Sequence, residues 1–247
     1  MPLPIITTPS FNIIVPSTKE SVKFRQFLVK EEKMLLAAVE ADDEMTMLDA
    51  TMKVLSSCAV SPIKPEELAV VDVEYIFLQL RAHSVSDVVD LAYRCRNVPI
   101  GNTPESTPVL CGHVSNIKLN LNDVNVIFPP DHTRQIFLTD TIGINMKYPS
   151  YNTEKRMLKL RSNGDLNETI QAIALTVESL FDDQSVYTNF QPKEIVEWLE
   201  HLTQPQFERI RVFFEKMPVL AHDVMFKCDV CGYSESIHLE GLQSFVR

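Results

Sequence analysis

The sequence predicts an α+β protein: an N-terminal helical layer against an antiparallel β-sheet, then C-terminal helices and a terminal Cys-x-x-Cys β-hairpin. Three observations predict it. Apolar residues recur at helical spacing through residues 28–84. Between 86 and 148 the period changes to strand alternation, with Ile117, Leu119 and Leu121 interleaved by Lys118, Asn120 and Asn122. After 149 helical spacing returns, and the chain closes on strand-like runs flanking Cys228 and Cys231.

Each element has a local reason. Residues 1–21 read as an extended arm, in which Phe11–Val15 is a possible strand ended by Pro16. The first helix carries Leu28, Leu35, Leu36 and Val39, which can share one face. Glu40, Asp42, Asp43 and Glu44 start a second helix, where negative charge suits the dipole. Pro65 followed by Glu66 and Glu67 starts a third, whose stripe of Leu68, Val71, Tyr75 and Leu78 is widened by Ile76, Phe77 and Leu80. That width predicts the most buried helix of the three.

Val124–Phe128, Ile136–Leu138 and Ile142–Met146 read as further strands, and the proline-rich stretch 98–108 as an exposed loop. Residues from 149 begin irregularly. A helix is then expected from Asp165 and Glu168 through Leu166, Ile170, Ile173, Val177 and Leu180. Pro192 and Pro205 each lead into another helix, the second with a Thr203–Gln206 box. The implied partition is 1–21 arm, 22–148 helical and β domain, and 149–247 helical region with the cysteine hairpin.

Bulk composition narrows the function. Hydrophobic residues are 45% and charged residues 23%, so the chain can bury a real core. The net charge of -10 repels phosphate and disfavours nucleic-acid binding. No apolar run reaches the roughly 18 residues of a membrane span, and the N-terminus lacks the pattern of a secretory signal. Five widely spaced cysteines fit a reducing compartment better than a disulfide framework.

Little in the sequence suggests catalysis. The six glycines are isolated, so no phosphate-binding loop can be built from them, and the histidines do not fall at metal-pair spacing. Two features remain. Lys30, Glu31, Glu32 and Lys33 form a mixed-charge turn, either a solvated face or a surface that fixes register against a partner. Asp72 and Glu74 read as solvated or ion-paired in the same way. Cys228-x-x-Cys231-Gly232 is half of a zinc knuckle. Cys95 and Cys111, at the two ends of the proline-rich loop, can supply the other half, with His113, His222 and His238 in reserve. A hairpin with two reduced thiols is the alternative. Bound zinc would be structural; a thioredoxin-type redox centre is disfavoured, because that motif belongs at a helix N-terminus and these flanks read as strands. A zinc-dependent nucleic-acid adaptor is the rival function, opposed by the charge.

Three blocks carry a resemblance: Phe27-Leu28-Val29-Lys30-Glu31-Glu32-Lys33 with Leu35-Leu36; Asp72 to Leu78 with Leu80-Arg81-Ala82 and Ser84-Val85; and Cys228-x-x-Cys231-Gly232-Tyr233 with Glu240-Gly241-Leu242 and Phe245. Together they resemble the baseplate hub assembly proteins of T-even-like contractile-tailed bacteriophages. The helical blocks also resemble in layout the tail assembly chaperones that shield tape-measure proteins. The resemblance implies a non-enzymatic hub subunit or assembly chaperone. Its implied partners are other phage tail or baseplate hub proteins, including the tape-measure protein. Its implied locations are the host cytoplasm during assembly and the virion baseplate.

Overall fold

The computed structural model describes residues 7–41, 43–98, 110–160 and 166–245. The proline-rich loop lies outside the described residues from 99 onward, as do Asp42 and Asp165 of two predicted helix starts.

The chain opens with a hairpin of β1 (Ser10–Ile14) and β2 (Ser21–Arg25), with Ile13 opposite Val22. Ile13, Val15, Val22 and Phe24 are buried. The connection closes by Val15 N–H donating to the Glu20 carbonyl (2.8 Å) and Lys19 N–H to the Val15 carbonyl (2.8 Å). The strand expected within the arm forms as β1 and adds to a sheet, and the hairpin it makes with β2 runs across residues 21 and 22. Apolar alternation on both strands makes docking more favourable than extension.

Helix α1 (Val29–Glu40) packs on α2 (Glu44–Cys58). Asp43 caps α2, its carboxylate accepting the Thr46 N–H at 2.8 Å. The predicted inner face of α1 is only partly right. Leu35 is half-buried, but Leu28, Leu36 and Val39 are exposed, and Glu31 and Ala38 point inward.

Pro65–Glu67 forms a single 3-10 turn, and α3 begins later, at Val70–Ser84. The delay has a tertiary cause. Ala69 bridges Ser150, and Val70 N–H donates to the Pro149 carbonyl (3.0 Å), which holds the intervening backbone extended. As predicted, α3 is the buried helix. Val73, Ile76, Phe77 and Leu80 join a core with the hairpin and α2. Leu78 and Ala82 face a second core built from strands.

Those strands are β3 (Val88–Arg94) paired with β4 (Val114–Asn120), and β5 (Asn125–Ile127). The chain then leaves to make a four-stranded antiparallel sheet. It contains β6 (Gln135–Phe137), β7 (Gly143–Met146), β8 (Val177–Phe181) and β9 (Val186–Tyr187) in that order. Between β7 and β8 lie α4 (Tyr151–Leu160), in a stretch read as irregular, and α5 (Leu166–Ala174). The helix expected to continue through Val177 and Leu180 stops at Ala174. Thr176 turns the chain, its hydroxyl donating to the Ile173 carbonyl (2.7 Å). Val177 and Leu180 then pair with β7 as part of β8.

Helices α6 (Pro192–Glu200) and α7 (Gln204–Glu215) cover this sheet, and Ile144, Met146, Ile173, Ile195, Leu199, Ile210 and Phe213 form its core. At the start of α7 Gln206 Oε1 accepts the Thr203 N–H at 2.9 Å. Finally β10 (Val219–Lys227) returns, pairing with β5 on one side and β11 (Ser234–Glu240) on the other. Leu220, Val224 and Phe245 seal the strand-side core under α3. The cores therefore cross the predicted 148/149 boundary: residues 219–245 pack with the first part of the chain. The architecture is α+β, with several small antiparallel sheets.

Candidate metal centre

Cys95 follows β3 directly, and Cys111 lies three residues before β4. The β3–β4 ladder continues past the strands. Cys95 N–H donates to the His113 carbonyl (2.8 Å) and Gly112 N–H to the Cys95 carbonyl (3.1 Å). Cys111 N–H donates to the Asn97 carbonyl (2.8 Å). Both thiols are thereby fixed at one end of the hairpin.

The second pair sits on the β10–β11 turn. Cys228 N–H donates to the Tyr233 carbonyl (2.8 Å), and Gly232 N–H to the Cys228 carbonyl (3.0 Å). Each pair is followed by a glycine in the left-handed region, Gly112 at φ 65° and Gly232 at φ 70°. Only glycine takes that backbone freely, and here it folds the chain back beneath the sulfurs.

The two hairpin ends meet. The ligand atoms of Cys95, Cys111, Cys228 and Cys231 all lie within 4.8 Å of one another. Cys95 Sγ is 3.6 Å from Cys231 Sγ, and Cys111 Sγ is 3.8 Å from Cys228 Sγ. Disulfides require about 2.05 Å, and all four cysteines are free. A tetrahedral ion with sulfur at about 2.3 Å sets its ligands about 3.8 Å apart. The two close pairs match that edge, and each joins one hairpin to the other. The four cysteines can therefore hold a metal ion.

The surroundings favour the thiolate at Cys231 and oppose it at Cys95. Burial pushes the Cys95 thiol up to about 12. Cys231 is drawn down to about 6 by the Tyr233 backbone N–H and the Asn97 side-chain amide, 3.6 Å from its sulfur. A mixed set of this kind cannot hold several bare thiolates together without a compensating cation. Phe226 is buried beneath the cluster, with the Tyr93 ring 4.7 Å from its own. The reserve histidines are not in the cluster: His238 pairs with Asp223 on the hairpin surface, at 2.7 Å.

The mixed-charge turn is divided by the fold. Lys30, Glu32 and Lys33 are exposed on α1. Glu31 is not: it is 1% exposed, ion-paired to Arg25 at 2.8 Å, and accepts the Leu28 N–H at 2.8 Å. It caps α1 from inside, so it is removed from the candidate contact surface. Beside the remaining three, the structure adds Val29, Leu36 and Val39, which the sequence pattern had assigned to the core or passed over. Asp72 is corrected too. It is fully buried at the start of α3 and accepts the Ser17 N–H (2.9 Å) and the Ser17 hydroxyl.

The fold is α+β, with small antiparallel sheets, one buried helix and four cysteines whose sulfurs converge where two hairpin ends meet. The family of the T4 bacteriophage base plate protein matches residues 8–247, and the chain belongs to that family. No curated protein and no solved structure matches it. Among the described residues, no helix is long and apolar enough to cross a membrane.

Proposed function

We propose that this base plate protein works in building the hub and tail, as a hub subunit or as an assembly chaperone, by protein contact and without turnover. Its partners in this reading are other tail or baseplate hub proteins, including the tape-measure protein. It meets them in the host cytoplasm and stays with or leaves the finished baseplate. The observation that carries the reading is α1. Val29, Leu36 and Val39 stand in solvent on one helix beside Lys30, Glu32 and Lys33, and such a patch marks a contact site. Reversing the three charges should leave the melting temperature within a few degrees of wild type and weaken capture of co-expressed tail proteins, read by mass spectrometry. Unchanged capture would overturn the role of this face, and turnover by the purified chain would overturn the non-enzymatic reading.

The same proposal fills the cysteine cluster with zinc in a structural role. Zinc bound there supplies a cross-link between the two hairpin ends, and four thiolates close its shell against substrate. Metal analysis of the purified chain should find about one zinc per polypeptide. Either Cys95→Ser or Cys231→Ser should abolish it, since the close sulfur pairs run between hairpins. Stoichiometric zinc in both variants would sink the assignment.

A further inference from the structure

The contact face of α1 has a geometry that specifies its own partner. At about 100° per residue, Val29, Leu36 and Val39 fall within about 80° of one another, opposite the inward-facing Ala38 and Glu31. Lys33 and Glu40 lie together along one flank of this stripe, and both are exposed. The flank is thus basic toward the helix N-terminus and acidic toward the C-terminus.

A twofold axis crossing the helix between positions 36 and 37 places each position n opposite 73 − n of a second copy. Lys33 then meets Glu40 of the second copy, and Glu40 meets its Lys33. Leu36 lies next to the axis, where it comes against Leu36 of the second copy, with the exposed Val39 beside it. A self-complementary patch with opposite charges at symmetric positions is what an isologous interface requires. Glu32 falls at the end of the overlap, where it stays wet.

We infer that the outer face of α1 pairs antiparallel with the same face of a second copy of this chain. The inference rests on the reading of α1 as a contact face, where a second copy competes with the tail proteins. A helix of 12 residues covers less than the roughly 800 Å² per partner of a standard interface. The dimer is therefore weak, with a Kd of about 10 µM to 1 mM.

Sedimentation equilibrium of the full chain over that range tests it. The weight-average mass should rise from 28.1 kDa toward twice that value. Leu36→Glu should hold the chain at the monomer mass. Lys33→Glu should weaken dimerisation by about tenfold, by setting like charges together, and Lys33→Glu with Glu40→Lys should restore it. Circular dichroism of each variant checks that the helices persist. A wild-type chain still monomeric at about 1 mM, or a double variant no tighter than Lys33→Glu, would overturn the inference. A monomeric chain that still captures tail proteins through α1 would sink the dimer and leave the assembly reading intact. A dimer that captures none would sink the assembly reading instead.

Discussion

Burial alone would raise the Glu31 carboxyl, but the Arg25 guanidinium and the Leu28 N–H more than offset it and hold it below its ordinary value of 4.5. An acid lowered in the folded state adds stability above that value and loses it as pH falls through its folded one. Glu31→Gln should therefore cost about 2–3 kcal/mol at neutral pH, because it takes the carboxylate from the half-buried Arg25 and leaves its charge only the Gln26 and Ser57 carbonyls. The difference from wild type should shrink below about pH 4, as denaturant melts at several pH values would show. Glu74 behaves in the opposite sense. Burial, with Glu154 and Glu240 nearby, pushes it up to about 7, although the Leu242 N–H works against the rise. Ionising Glu74 costs the fold stability as pH climbs from 4.5 through about 7. Glu74→Gln should raise the melting temperature at pH 8 and leave it nearly unchanged at pH 4. A stabilisation of equal size at both would show that charge is not the cause.

At the scale of elements, the cysteine hairpin shows what a sequence can reveal. Cys95 and Cys111 flank a loop between strand-like runs, so a ladder joining those runs must bring both thiols to one end. The meeting with Cys228 and Cys231 follows once β10 docks under α3. Glu31 was not legible, because a buried carboxylate and a solvated one look alike in a run of mixed charge; only the position of Arg25 on β2 separates them. The end of α5 was illegible for another reason. Val177 and Leu180 continue a helical stripe, yet Val177, Ser179 and Phe181 also alternate as a strand. Pairing to β7 decides, and that partner is distant in sequence, with Val177 opposite Met146 and Phe181 opposite Gly143. The outer face of α1 was read as core because its leucines and valines keep helical spacing; which side docks depends on α2.

At the scale of the molecule, the four cysteines bring distant parts of the chain together. Cys111 and Cys228 are 117 residues apart, and the segment between them includes the sheet of β6–β9 with its covering helices, which have their own core. An ion held by all four sulfurs closes that long loop and lowers the entropy of the unfolded chain, as any long-range cross-link does. Its native contacts, however, are local to the two hairpin ends, where Phe226, Tyr93 and Ile237 supply the packing. Removing the metal should therefore act unevenly. Amide exchange after chelation should speed first at residues 93–95, 111–115 and 226–234. The β7–β8 pairing and α7 should keep their protection at chelator levels that already expose the cysteines. The melting temperature should fall by several degrees, because loss of a cross-link weakens the whole lobe around α3. If β7, β8 and α7 lost protection together with the hairpin ends, the two cores would be a single cooperative unit, and the cluster would hold the entire fold rather than clasp one side of it.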